Sequence, residues 1–261
     1  TKYSELYNRI ITKREFEEED FLMKSLNDLN VKIYADGADL KEMLEIYKND
    51  YVKGFTTNPS LMKQGGVTDY KEFAKKVLAE ITDCSVSFEV FADDFETMEK
   101  EADVLANLAP NVYVKIPITN TKGESSIPLI KKLAAKGYHL NVTAIFTLKQ
   151  VQEVVDTLNP EVNSIVSVFA GRIADTGVDA VELMKKAAEI CKQNPNAELL
   201  WASCREFYNI MEAEECGCQI ITVQNSILAK SKNYGKDLEE YSLETVRGFF
   251  KDASGLGFSI L

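Results

Sequence analysis

Histidine occurs once in this chain of 261 residues, at His139, and tryptophan once, at Trp201. The only closely spaced cysteines are Cys216 and Cys218, so zinc ligation has neither a second cysteine pair nor enough imidazoles to complete it. The five cysteines are odd in number and irregularly spaced, which argues against a disulfide framework and for ordinary reduced thiols. Positive charge is also scarce, with 30 Lys and Arg against 41 Asp and Glu, for a net charge of −11. That is the wrong sign for nucleic-acid binding, so any anionic ligand must be met by local basic groups. No apolar run reaches the roughly 18 residues a membrane helix needs. Residues 1–30 lack the apolar core of a secretory signal, so a cytoplasmic protein is expected. A Gly-x-Gly-x-x-Gly turn is missing as well.

What is present is an ordinary globular composition, 45% hydrophobic and 27% charged. From Val31 onward, short β-branched or aromatic runs alternate with longer segments of helical period, the pattern of parallel strands joined by helices. The predicted strands are 32–36, 52–56, 85–91, 112–117, 139–146, 164–169, 198–203 and 219–223. The predicted helices are 40–49, 70–81, 95–108, 124–135, 148–158, 178–193, 206–216 and 226–232. Eight such units predict an α/β fold, a (β/α)8 TIM barrel over residues 31–232. An open doubly wound sheet also alternates, but the missing glycine turn disfavours it. Residues 1–30 read as an added helical segment with an acidic run from Glu15 to Asp20. Residues 233–261 read as a linker and a helix over 242–253. Its stripe of Leu243, Val246, Phe249 and Phe250 must bury itself on the barrel or on a neighbouring subunit.

In such barrels, active sites lie at the C-terminal strand ends. Polar residues there are Asp36, Thr56-Thr57-Asn58, Glu89, Lys115, Asn141, Thr143, Ser167, Arg172, Ser203 and Arg205. Lys115 stands out because Tyr113-Val114-Lys115-Ile116-Pro117 puts an amine among residues that want burial. Desolvation favours the neutral amine, which attacks carbonyls to form a Schiff base. Equally open from strand position alone is a lysine that snorkels to solvent or pairs with Glu89. Asp36 and Glu89 suit proton transfer or simple neutralisation of Lys115. Asn58 and Asn141 suit polyol hydroxyls, although Asn58 before Pro59 also suits a turn. Thr143 could hold a water or pack. Arg172 and Arg205, with Ser167 and Ser203, suit an anion, the alternative being pairs with Asp175 or Glu206.

Seven ordered segments resemble the transaldolase family, in its small-barrel branch that also contains fructose 6-phosphate aldolase. They are 35–39 (ADGAD), 56–61 (TTNPSL), 88–90 (FEV), 114–117 (VKIP), 141–146 (NVTAIF), 167–173 (SVFAGRI) and 202–205 (ASCR). The resemblance implies a metal-independent, cofactor-free class I mechanism with Lys115 as the Schiff-base lysine. It implies Asp36 as proton shuttle and Glu89 acting through a water held with Thr143. Thr56, Asn58, Asn141, Ser167 and Phe169 would contact the substrate, while Arg172, Ser203 and Arg205 would grip the distal phosphate. The implied reaction moves a dihydroxyacetone unit from a ketose phosphate to an aldose phosphate. Sugar phosphates would be its small-molecule partners.

Within the family the aldolases carry Gln where this chain has Glu89 and Tyr where it has Phe169, so both positions favour transfer. An aldolase releasing dihydroxyacetone and a transaldolase acting on a sulfonated ketose are the alternatives. A catalytically silent sugar-phosphate-binding barrel is a third reading, of another class. Three departures stand out: Val168 where proline is usual, the unusual neighbours of Ser203, and residues 1–30. Small members of the family form rings of barrels, so a homo-oligomer is expected, with no nucleic-acid or membrane partner.

Overall fold

The structure is a computed structural model that describes residues 24–258 and 260. Eight parallel strands close into a barrel in chain order. They are β1 (Lys32–Asp36), β2 (Val52–Thr56), β3 (Ser85–Glu89), β4 (Val112–Pro117), β5 (Leu140–Ile145), β6 (Ser164–Val168), β7 (Ala197–Trp201) and β8 (Ile220–Gln224). Outside them lie α1 (Leu40–Tyr47), α2 (Pro59–Gln64), α3 (Tyr70–Glu80), α4 (Phe95–Ala106), α5 (Ile127–Ala135) and α6 (Leu148–Val155). The chain continues through α7 (Ala170–Asp175), α8 (Ala180–Cys191), α9 (Asn209–Cys216), α10 (Asn225–Leu228) and α11 (Leu238–Gly255). The predicted (β/α)8 barrel is therefore the observed fold.

Local chemistry starts these helices where it does. Asp39, Asp69, Asp94, Thr147, Asp179 and Asp237 each accept a hydrogen bond from the backbone N–H three residues on, satisfying a donor that the first helical turn leaves free. Barrel strands are covered on both faces, which is why they read as nearly continuous apolar runs. Along β4, Val112, Val114 and Ile116 join the main core between barrel and helices, while Tyr113 and Lys115 line the cavities at the two ends of the barrel. Tyr34, Ile165, Leu200, Ala202 and Ile220 form a smaller cluster, with Tyr113 and Phe169 against it. Gly54 makes room for the Tyr34 ring, because a Cβ there would lie 2.6 Å from it.

Several boundaries differ from the sequence reading, mostly at the C-terminal strand ends. β3, β6 and β7 stop at Glu89, Val168 and Trp201 rather than at Phe91, Phe169 and Ser203. At β7 the ladder ends as the chain turns into the left-handed backbone of Ser203 (φ 62°). Helices α2 and α7 were not foreseen. The predicted helix over 226–232 divides into α10 and a 3-10 turn, Ala229–Asn233.

Outside the barrel, the reading of residues 1–30 as helical lies mostly beyond the described residues. Within them the chain forms one 3-10 turn, Leu26–Asp28. Glu214 on α9 holds this entry segment, accepting from Lys24 Nζ, Asn30 Nδ2 and the Val31 N–H. α11 begins at Leu238, before the predicted Ser242, and has no buried residue, so its stripe is not covered by its own barrel. Among the described residues, no helix is long and apolar enough to cross a membrane.

Candidate active site

Parallel pairing sets the site's geometry. Glu89 on β3 lies opposite Lys115 on β4, and Lys115 lies opposite Asn141 on β5. Asp36 on β1 is opposite Thr56 on β2, which is opposite Ser87 on β3. Side chains alternate between strand faces, so these matched positions bring their polar groups to one end of the barrel interior. All of them but Ser87 line a cleft of about 430 Å3, a size suited to a small ligand. All twelve residues singled out from the sequence line it: Asp36, Thr56, Asn58, Glu89, Lys115, Asn141, Thr143, Ser167, Phe169, Arg172, Ser203 and Arg205.

Lys115 is buried, its side chain only 9% exposed. Nζ donates to the Thr57 carbonyl at 2.8 Å and sits 3.2 Å from Glu89 Oε2. The pairing foreseen as the plain alternative for Lys115 is therefore real, and it does not exclude a nucleophile. An amine must lose a proton to attack, and Glu89 is the carboxylate placed to take it. Behind Glu89, the Tyr70 hydroxyl donates to its backbone carbonyl at 2.8 Å, and the Tyr70 ring stacks on Phe91.

Asp36 is partly buried, and desolvation by the protein around it raises its carboxyl above the usual carboxylate range. Lys115 and the hydrogen bonds from Thr56 and Asn58 pull the other way, and Glu89 adds a smaller upward push. Thr56 Oγ1 donates to Asp36 Oδ1 at 2.9 Å, and Asn58 Nδ2 donates to Oδ2 at 3.4 Å. Asn58 also caps α2, its Oδ1 accepting from the Leu61 N–H at 3.0 Å, which is the turn role foreseen for it before Pro59.

A chain of amide and hydroxyl groups completes the wall. Ser167 Oγ donates to Asn141 Oδ1 at 2.6 Å, and Asn141 Nδ2 donates to Ser87 Oγ at 3.0 Å. Across the cleft, the Arg172 guanidinium lies 5.3 Å above the Phe169 ring. Arg205 pairs with Asp175, one of the two carboxylates foreseen as its alternative partners. At Arg205 a ligand must therefore compete with Asp175. Ser203 is held close to α7, since a Cβ on Gly171 would fall 1.7 Å from the Ser203 carbonyl oxygen.

Three lining or bracing groups escaped the sequence reading, Ser87, Thr222 and Asn209, as did the role of Thr57 as the Lys115 acceptor. Each is a common residue type on a strand or loop, with no local pattern of its own. Only the period-2 register of β3 and β8 could have pointed to Ser87 and Thr222. A larger cavity of about 680 Å3 opens at the other end of the barrel, lined by Lys32, Tyr34, Tyr113 and Glu198 among others. Its groups are mutually satisfied, Lys32 with Glu198 at 2.5 Å and Ser85 with the Tyr34 hydroxyl at 2.7 Å. His139 is also at that end, stacked on Tyr113 and bonded through Nδ1 to the Asn163 carbonyl, away from the polar cleft.

A buried lysine, ion-paired to one carboxylate and near a second, in a polyhydroxyl-sized cleft at the mouth of a closed barrel defines an aldolase-like class of TIM barrel. Comparison with known proteins narrows the class. The chain belongs to the family described as "Transaldolase/Fructose-6-phosphate aldolase", whose profile matches residues 33–260. A "Probable transaldolase" of Sphingopyxis alaskensis is 32% identical over 234 residues, covering 88% of this chain and 100% of that protein. A "Probable transaldolase 2" of Listeria monocytogenes is 33% identical over 223 residues, 85% of this chain and 95% of the relative. The fold alone is shared with 3-hexulose-6-phosphate synthase from Salmonella typhimurium, at a TM-score of 0.54 and 13% identity over 76% of this chain and 91% of that one.

Proposed function

We propose that this protein is a transaldolase that moves a dihydroxyacetone unit from a ketose phosphate to an aldose phosphate through a Schiff base on Lys115. The observation that carries this is the buried Lys115 Nζ, 3.2 Å from Glu89 and within the electrostatic reach of Asp36. The amine attacks the ketose C2 carbonyl, and the carbinolamine loses water to become an iminium. Glu89, working through a water beside Thr143, takes and returns the protons of this step and of its reverse. Asp36 removes the C4 hydroxyl proton. The C3–C4 bond breaks, its electron pair moves toward the iminium nitrogen, and the aldose phosphate leaves. The remaining three-carbon enamine attacks the acceptor aldehyde, and Asp36 gives its proton back to the new hydroxyl. The iminium is the electron sink, so the cycle needs neither metal nor cofactor.

In this reading Asn58, Asn141 and Ser167 hold the hydroxyls of the three-carbon unit. Arg172, Ser203 and Arg205 meet the phosphate. Glu89 and Phe169 favour transfer over release of free dihydroxyacetone. We further read the protein as a cytoplasmic enzyme that assembles as a homo-oligomer through the exposed stripe of α11.

The test is borohydride reduction in the presence of fructose 6-phosphate, followed by peptide mass spectrometry. The expected result is a three-carbon adduct on Lys115. No adduct, or one on a different lysine, overturns the assignment. Steady release of dihydroxyacetone without an acceptor aldehyde would replace transfer with aldol cleavage.

A further inference from the structure

Thr222 on β8 and Thr56 on β2 flank β1 from its two sides, opposite Tyr34 and Asp36 respectively. Both are buried. Their hydroxyl oxygens are hydrogen-bonded to each other, and Thr56 Oγ1 is also 2.9 Å from Asp36 Oδ1. Counting protons along this chain gives Thr222 a task. Asn58 offers Asp36 Oδ2 an amide N–H, and its own carbonyl is tied to the Leu61 N–H, so the amide cannot turn to accept. Oδ1 is thus the oxygen whose neighbour can either donate or accept, and a proton resting on Oδ1 toward Thr56 is accepted by Thr56. The single hydroxyl proton of Thr56 then needs another acceptor, and Thr222 Oγ1 is in contact. When Asp36 is ionised, Thr56 donates to it and Thr222 donates into Thr56.

We propose that Thr222 is a positioning residue for proton transfer, acting through Thr56 so that Asp36 is hydrogen-bonded equally well in both of its protonation states. The hydroxyl pair reverses direction when the proton held by Asp36 rests on Oδ1, and no heavy atom has to move. The proposal rests on Asp36 being the proton-transfer group of the transaldolase reading. Lys115 from β4 and Glu89 from β3 are the charged groups that face Asp36. β2 and β8 present Thr56, Asn58, Thr222 and Gln224, none of which titrates.

The experiment is the pH profile of kcat/KM for transfer from fructose 6-phosphate to an aldose phosphate. Its acid limb reports the carboxylate that takes the C4 hydroxyl proton. Thr222→Val keeps the shape and removes the hydroxyl. The form protonated on Oδ1 then leaves the Thr56 O–H buried without an acceptor and is disfavoured, so the acid limb moves to lower pH by about half a unit to one unit. Thr222→Ser keeps the hydroxyl, and its limb stays where the wild type has it. An unmoved limb in Thr222→Val overturns the proposal, as does an equal shift in both variants. Should the valine variant not fold, a displaced limb in the serine variant is by itself enough to overturn it. Asp36→Asn separates the two levels: if it keeps both activity and acid limb, the reading of Asp36 fails and takes the proposal with it. If Asp36→Asn is inactive while Thr222→Val is unmoved, the proposal alone fails.

Discussion

Asp36 carries a charge where the fold disfavours one. Its carboxyl is raised by burial, only partly offset by Lys115, Thr56 and Asn58. In linkage terms, a carboxyl with a higher proton affinity in the folded state loses stability for the protein as pH rises from the unfolded value to the folded one. Above that window the ionised side chain is a standing cost, and below about pH 4 it costs nothing, because Asp36 is protonated in both states. Asp36→Asn removes the charge and keeps the shape. The variant is therefore expected to be inactive yet more stable than the wild type at pH 7, with the gap closing toward pH 3. Urea denaturation midpoints measured between pH 3 and pH 8 check this, and equal or lower stability at pH 7 would contradict it. Function and stability thus pull against each other at one residue.

The elements that shape the cleft are shorter than a sequence pattern can reveal. α2 and α7 have six residues each, under two turns, too few to show a helical period. The strand ends at Phe91 and Phe169 are overread because phenylalanine continues the β-prone composition after the ladder has stopped. The eight strands and the twelve cleft residues were legible, since strand composition and ordered motifs are both local. Pairing across strands is not local, and so Ser87, Thr222 and the part Thr57 plays as the Lys115 acceptor went unread. Asn209 is the same kind of case. Its Oδ1 accepts from the Arg205 and Glu206 N–H groups at 2.9 and 3.0 Å, and the Cys204 thiol points to it. One buried amide thus fixes the turn that carries Ser203 and Arg205 at the start of α9. Asn209→Ala leaves those donors without that acceptor, at a stability cost of about 1–3 kcal/mol. The same change should raise KM for a phosphorylated ketose severalfold while leaving KM for an uncharged ketose nearly unchanged, which steady-state kinetics on the two donors would read directly.

At the scale of the molecule, the barrel encloses its own core while α11 stands outside it. Leu238, Leu243, Val246, Phe249 and Phe250 are all exposed, between 48% and 81%. Each is worth about 1.5–3 kcal/mol when fully buried, so an 18-residue helix with no buried side chain forgoes a large driving force unless another surface covers it. A contiguous apolar face of this kind marks an interaction surface. The assembly proposed above supplies one from a second copy of the chain, and head-to-tail docking of α11 onto a neighbour closes into a ring when the rotation between copies divides a full turn. Static light scattering should then return a multiple of 29.3 kDa. Placing two charges on the stripe, as Val246→Asp with Phe250→Asp, should return the mass of a single chain. α11 contributes no side chain to the cleft, so borohydride trapping on Lys115 should survive in that variant. A wild type that already scatters as one chain sinks the assembly reading without touching the chemistry. If the double variant stays assembled, the contact lies on a face other than this stripe.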